Sequence, residues 1–491
     1  MTPASKLTFH GGPWVSFLPI LCFITTAIHV ATSLEEPTIQ GMWVGILAGL
    51  LVTFLFARDK SVYSDTIMKG MASMVAIAPV AAWIFAGIFA TVLRSSGLVD
   101  GILWAAYHTG ATGTAFLVVT FLACALFATA AGTGFGTIAA GMGVLYPAGV
   151  MLGADPLLLA GAIVGGGAFG DNLAPISDTT ISSAASQGAD IGGVVRSRLP
   201  FTLVAGSITL VVMVLISLTQ QTTPLIIAHE QLAEHMDPKG LVMLLPALAA
   251  IYVAMKKGDV IFATSVGILS GMLVAILTGL NTLSGFVSVE NGALINGVAG
   301  WMADLSILVI LLSAGIRLML DGGGSERLIN ALKGVVRAPR GAEASSAGLS
   351  LLMSSLMSIN APAILAVGLS YAKPVGERFG LSPYRRANII DSMSCTLVYS
   401  LPWSAALLFA SGLSVKAAET FPGVPALMPL DLTPWVLYAW ILLAVMSVSI
   451  ATGWGRRFSP AGQASAQNEA ATEVPAGRSS LPASASNSVS S

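Results

Sequence analysis

Gly170-Asp171-Asn172-Leu173-Ala174-Pro175-Ile176-Ser177-Asp178-Thr179-Thr180 sets two carboxylates, an amide and three hydroxyls around a proline. It lies between an apolar run over 157–169 and another that begins near Leu199. An ionisable group at mid-depth in a bilayer costs at least about 2.5–3.5 kcal/mol, so such groups mark ion or substrate paths. What surrounds the stretch is decided by composition. Of 491 residues 55% are hydrophobic and 10% charged, with a mean hydropathy of +0.82, whereas soluble domains carry about 25% charged residues. So few charges cannot cover a water-exposed surface, and the chain reads as an integral membrane protein.

The net charge of −1 gives no support for nucleic-acid binding. Fifty-two glycines suit tightly packed or broken transmembrane helices. Cys22, Cys124 and Cys395 are far apart in apolar runs, which reads as small buried hydrophobes rather than disulfides or a thiol metal site. His10, His29, His108, His229 and His235 show no metal-ligand spacing. The run over 14–30, after Lys6, is long enough to span and is read as a first span rather than a cleaved leader.

In chain order, candidate spans cover 14–31, 41–57, 71–93, 112–131, 138–152, 157–169 and 199–218. In the second half they cover 241–255, 260–280, 305–320, 349–371, 387–413 and 435–450. Glu35 and Glu36 place one loop outside, and Arg58, Lys60 and Lys69 place the next inside. Arg196 and Arg198, Lys256 and Lys257, and Lys373 to Arg386 mark further cytoplasmic ends, and Arg317 is placed to snorkel there. Residues 98–107 are too few to cross and are expected along the interface. This divides the chain into a tail (1–12), a first membrane unit (13–220), an external loop (221–240), a second unit (241–455) and a disordered, cytoplasmic Ser/Ala-rich tail (456–491).

The halves correspond weakly at an offset of about 230 residues. Ala86-Gly87-Ile88 matches Ala314-Gly315-Ile316, each followed by a small-residue break and a short amphipathic segment, 98–107 and 326–337. A polar break comes next, Gly132-Thr133-Gly134-Phe135-Gly136-Thr137 in one half and Ser358-Ile359-Asn360-Ala361-Pro362 in the other. Then each half has a break bearing acid, Asp171 and Asp178 against Asp391. By the loop charges the first hairpin enters from outside and the second from inside, as inverted repeats require; the alternative is chance similarity among glycine-rich spans. The expected fold is therefore an all-α polytopic membrane protein of about ten to thirteen transmembrane helices, in two inverted-topology repeats with re-entrant hairpins and broken helices.

Asp171, Asn172, Ser177, Asp178, Thr179 and Thr180 read as half of a site for a hard cation, because sodium seeks carboxylate, hydroxyl and freed carbonyl oxygens. A carboxylate can hold a proton or a cation, and that competition is the chemistry of exchange. The alternative is a solvated cytoplasmic turn. Asn360 and Asp391 read as contributions from the other half, with Thr133, Thr137, Ser358 and Thr396 in support. Residues 132–137 could equally be a plain bend, and Asp391 could instead form a structural ion pair with Arg385 or Arg386. Gly165 to Gly170 spells GGGAFG, but no strand precedes it, so close helix packing is preferred over a dinucleotide loop. No catalytic constellation or Walker-type loop is present, so the chain reads as neither an enzyme nor an ATP-driven pump, and no cofactor is expected.

At these residues the chain resembles the NhaC-type sodium/proton antiporters of the ion transporter superfamily, over about His10 to Gly455. Phe169 to Thr180 is similar to the family's Gly-Asp…Ser-Pro-x-Ser-Asp-Thr-Thr signature, with Asn172 for the usual Lys or His and Ala174 for Ser. Residues 132–137 resemble its Gly-Thr-Ser-Trp-Gly-Thr, differing at Gly134 and Phe135. Asp391, Pro402 and Trp403 match a Glu-Asp pair followed by Pro-Trp, with Ile390 where the Glu is expected. The resemblance implies secondary antiport of sodium against protons in a bacterial inner membrane, with sodium as transported substrate and a homodimer as assembly. Because some relatives carry malate, lactate or amino acids, the departures leave sodium-coupled transport of a small organic solute open. A membrane scaffold with vestigial acids is the third reading.

Overall fold

The computed structural model describes residues 7–33, 39–175, 177–219, 236–257, 259–299, 301–333 and 336–459. Most of the loop expected at 221–240 and nearly all of the tail expected at 456–491 lie outside these residues. Among the described residues no strand forms; Phe9 with Ala57 and Leu381 with Phe458 make isolated bridges. The first half runs α1 (Leu18–Ser33), α2 (Ile39–Phe56), α3 (Lys60–Met71), α4 (Met74–Ser95), α5 (Leu98–Thr109), α6 (Thr114–Ala131) and α7 (Gly134–Ala140). It continues through α8 (Tyr146–Met151), α9 (Pro156–Leu173), α10 (Asp178–Gln187) and α11 (Ile191–Thr219). The second half runs α12 (Leu244–Lys257), α13 (Val260–Thr278), α14 (Trp301–Asp321), α15 (Gly324–Lys333), α16 (Pro339–Met357) and α17 (Asn360–Val367). It ends with α18 (Lys373–Arg378), α19 (Pro383–Leu397), α20 (Ala405–Thr420) and α21 (Leu437–Thr452), with single helical turns as connectors.

Six helices among the described residues are long and apolar enough to cross a membrane, or eight if two bent pairs count as spans. One bent pair is Val80–Ser95 with Leu98–Thr109, turned by 62°, so the short segment after Gly97 leaves the direction of its span as expected. Gln40–Phe56, Thr114–Thr129 and Pro238–Val253 are shorter apolar helices, and added to the eight they bring the tally to eleven, inside the expected range. The span expected from Leu199 begins earlier, at Ile191, and continues through Pro200.

The repeat is now visible helix by helix at a shift of about 227 residues. The hinge between α6 and α7 is Gly132, left-handed at φ 68°, then Thr133, extended at φ −147°. The hinge between α16 and α17 repeats it with Ser358 at φ 55° and Ile359 at φ −139°. Each hinge frees backbone groups inside the bundle, which buried protein can satisfy where lipid could not. Ser358 is the one non-glycine residue with positive φ among the described residues, a conformation that costs about 1–2 kcal/mol. Each short arm then passes through a five-residue π-helical stretch, Gly141–Leu145 and Gly368–Ala372, before a proline-bearing helix. Pro175 and Ser177 fall opposite Pro402 and Ser404, and both serines cap the following helix.

Packing between halves is reciprocal: α4 meets α13 while α14 meets α2, α10 meets α17 while α20 meets α7, and α9 meets α21 while α19 meets α11. Such an exchange is what a pseudo-two-fold relation between inverted repeats produces. Within the first half the glycine-rich face of α9 lies on α6, where a Cβ at Gly166 or Gly170 would meet backbone atoms of Phe121 or Ala128. Close packing therefore accounts for the GGGAFG run.

The fold gives several charges specific partners. Arg317 forms an exposed pair with Asp321 at 2.8 Å. Neither Arg385 nor Arg386 pairs with Asp391. Arg385 reaches Glu343 at 2.8 Å, and Arg456 takes the other carboxylate oxygen at 2.7 Å. Arg386 turns to Gln187 and Glu377. Glu343 is fully buried and ties α16 to α19 and to the chain after α21. Glu343→Ala would leave Arg385 buried and unpaired, a loss of about 3–5 kcal/mol. Thermal unfolding of the detergent-purified protein should show a large fall for Glu343→Ala and a smaller one for Arg456→Ala, whose side chain is 20% exposed.

Candidate functional site

The quoted stretch forms the end of α9, a turn at Pro175 and the start of α10. Asp171 sits in the last turn of α9, where its Oδ1 accepts from Ser177 Oγ at 2.7 Å and its Oδ2 from the Tyr399 hydroxyl at 2.8 Å. Ser177 caps α10 and lies 2.9 Å from Thr179 Oγ1, which donates to the Asp171 carbonyl at 3.4 Å. Asp178 opens α10 at the positive end of its dipole. Its side chain keeps an exposed surface, unlike the buried Asp171. Tyr399 can approach because Gly134 has no side chain; a Cβ there would fall on its hydroxyl.

The second half brings Asp391 of α19, fully buried. Arg198 of α11 is also fully buried and meets Asp391 Oδ2 at 2.5 Å. It further donates to Thr180 Oγ1 at 3.0 Å and to the carbonyl of Asn172. Arg198 therefore does not mark a cytoplasmic end. It crosses the middle of the site and joins α9, α10 and α19. Ser183 also donates to Asp391 Oδ2, at 2.7 Å. Asn360, the first residue of α17, reaches Cys395 Sγ at 3.4 Å, and that sulfur lies 3.6 Å from Asp391 Oδ1. Cys395 thus stands among the polar groups rather than in plain apolar packing.

Two groups of the expected residues are linked: Asp171 with Ser177, next in the chain to Asp178, and Asn360 with Asp391 through Cys395. The remaining side chains point elsewhere. The amide of Asn172 is held by Thr202, Tyr438 and Ser392. Thr133 caps α7, Thr137 donates to the Thr133 carbonyl, and Thr396 donates to Met393. Ser358 Oγ is buried with no partner among the described residues. Sequence reasoning missed Arg198, Tyr399, Ser183 and Cys395. Arg198 was visible only as a charge, and Tyr399, Ser183 and Cys395 gave no signal in the sequence. Among the described residues no three His, Cys, Asp or Glu gather into a metal-holding group, so a hard cation here would draw on hydroxyls and carbonyls besides Asp171 and Asp178.

The sequence model of the Na+/H+ antiporter family matches residues 5–218 and 219–441. The chain belongs to that antiporter family. It is 27% identical over 286 residues to the Na(+)/H(+) antiporter NhaC of Alkalihalophilus pseudofirmus, covering 54% of this chain and 62% of that relative. To the malate-2H(+)/Na(+)-lactate antiporter of Bacillus subtilis it is 29% identical over 231 residues, covering 44% and 49%. To the arginine/ornithine antiporter ArcD of Halobacterium salinarum it is 24% identical over 333 residues, covering 63% and 68%. The chain spans about half to two thirds of the length of these curated relatives.

In this antiporter family member the Arg198–Asp391 pair has a separable energetic signature. Arg198→Gln or Asp391→Asn alone strands a buried charge and should cost about 3–5 kcal/mol. The double variant removes both charges and should melt higher than either single one. Additive losses would show that the two side chains do not act as a pair.

Proposed function

We propose that this chain exchanges sodium for protons at Asp171 and Asp178, driven by existing gradients across a bacterial inner membrane with the C-terminal tail in the cytoplasm. The observation that carries this reading is the buried Asp171–Ser177–Thr179 cluster beside the more exposed Asp178, two carboxylates and two hydroxyls held by a broken helix pair. Sodium binds there when both acids are ionised; protons replace it when they are not. Asp391, already engaged by Arg198, balances that fixed cation instead of binding the transported one.

Two cavities at equivalent places support alternating access. One, about 450 Å³, lies between α15 and the outer part of the second hairpin, against Ala366 and Ser370. Its counterpart, about 30 Å³, lies against Ala139 and Gly143 of the first hairpin. Interchanging the repeats' conformations would widen one and close the other.

A second reading, sodium-coupled transport of a small organic anion or amino acid, is favoured by one feature. Arg94 and Lys416 line the smaller cavity together, and two cations suit an anionic solute better than bare sodium. A solute that stabilises the purified protein only with sodium present would select it.

In proteoliposomes, sodium added outside should drive proton flux in the wild-type protein and none in Asp171→Asn/Asp178→Asn. Full flux from that double variant would remove the assignment. If one proton competes with sodium, the apparent sodium affinity should weaken by up to about tenfold per pH unit as the pH falls through the range where the acids protonate. Initial rates at graded sodium and pH check this, and an affinity indifferent to pH would exclude a shared site.

A further inference from the structure

At the basic end of the bundle, a cavity of about 170 Å³ opens between the start of α11, α19 and the chain that follows α21. Arg196, Arg385 and Arg457 line it, with Asn388, Phe201 and Trp454, and it lies apart from the Asp171–Asp178 cluster. We propose that this cavity binds a phosphate-bearing anion, the headgroup of an anionic phospholipid in the surrounding leaflet.

Charge points to an anion. No carboxylate lines the cavity. Among the described residues the Arg457 side chain has no partner, and Arg196 reaches only the Gly192 carbonyl, at 3.3 Å. Asp190, the acid nearest to Arg196, is already engaged by the Tyr384 hydroxyl at 2.5 Å and the Gly193 amide at 2.6 Å. Arg385 gives Nε to Glu343 and Nη1 to Ser449, while its buried Nη2 has no partner. Glu343 is shared by Arg385 and Arg456, so positive charge remains in excess. Guanidinium groups match phosphate oxygens in forked, charge-assisted bonds.

Position points to lipid. Trp454 is 41% exposed and packs against the Phe201 ring at a tilt of 51°, while Leu199 of α11 is 38% exposed. An indole beside arginines at the end of a span is the arrangement that holds a headgroup at the interface. The cavity also communicates with the core. Asn388 Oδ1 accepts from Ser392 Oγ at 2.9 Å, and Ser392 lies 3.4 Å from Asn172 Oδ1.

The test is binding, so its outcome does not depend on the transported ion. Thermal unfolding of the purified full chain would be followed with short-chain phosphatidylglycerol, short-chain phosphatidylcholine or inorganic phosphate. Phosphatidylglycerol should stabilise more than phosphatidylcholine. Stabilisation by phosphate alone would also uphold the anion site, with a soluble occupant as its source. Arg196→Gln/Arg457→Gln should weaken the phosphatidylglycerol effect about tenfold or more, as loss of charge-assisted bonds predicts. Lys256→Gln/Lys257→Gln, which removes the same charge elsewhere, should leave it intact. No stabilisation by either anion, equal stabilisation by the two lipids, or equal losses in the two variants would overturn the proposal.

Discussion

The buried contact between Arg198 and Asp391 holds the middle of this protein together. Neither charge has access to water, so each depends on the other and on the polar groups around them. Arg198 comes from the first half and Asp391 from the second, and the guanidinium also takes the Asn172 carbonyl and Thr180. One side chain thus satisfies a helix end, a helix start and a carboxylate from the opposite repeat. A pair of this kind is weak evidence for stability, because well-packed apolar residues would serve as well or better. Its value lies in setting a register: the repeats can meet in few ways that keep both charges partnered.

Around that contact the repeat supplies the irregular backbone a site in lipid needs. Each half breaks a long helix at a left-handed residue followed by an extended one, and each inserts a π-helical stretch before a proline. The halves share this frame but differ in what they place on it. Ser177 and Ser404 cap equivalent helices, yet the residue after the first is Asp178 and after the second Ala405. The carboxylates are therefore distributed unequally over a near-symmetric scaffold. Symmetry provides two hairpins, while asymmetry places Asp171 and Asp178 in one half and Asp391 in the other.

Much of the candidate site was legible in the sequence, for a plain reason. Polar groups are expensive in an apolar chain, so Asp171, Ser177 and Asp178 stood out by composition, and Asn360 and Asp391 stood out beside their breaks. Arginines gave a false signal under the same logic. Arg198 follows Arg196 by two residues and resembles half of a cytoplasmic anchor, yet the two sit on different faces of α11, one exposed and one buried. Tyr399 and Cys395 carried no surplus of charge, and in sequence they are ordinary residues of an apolar run. The partner of Asp391 was expected among its neighbours Arg385 and Arg386, but those were already claimed by Glu343, Gln187 and Glu377.

The sequence by itself determined a helical membrane protein of two related halves, because hydropathy and helix breaks are local properties and survive without coordinates. It also located the acids, since their desolvation cost marks them wherever they fall. Which groups those acids meet was decided only by the tertiary structure. Pairing across the bundle depends on helix rotation and on the pseudo-two-fold contact between halves, and neither is encoded in any short stretch. Arg198 reaches Asp391 from nearly two hundred residues away, a contact that no periodicity or spacing rule can supply.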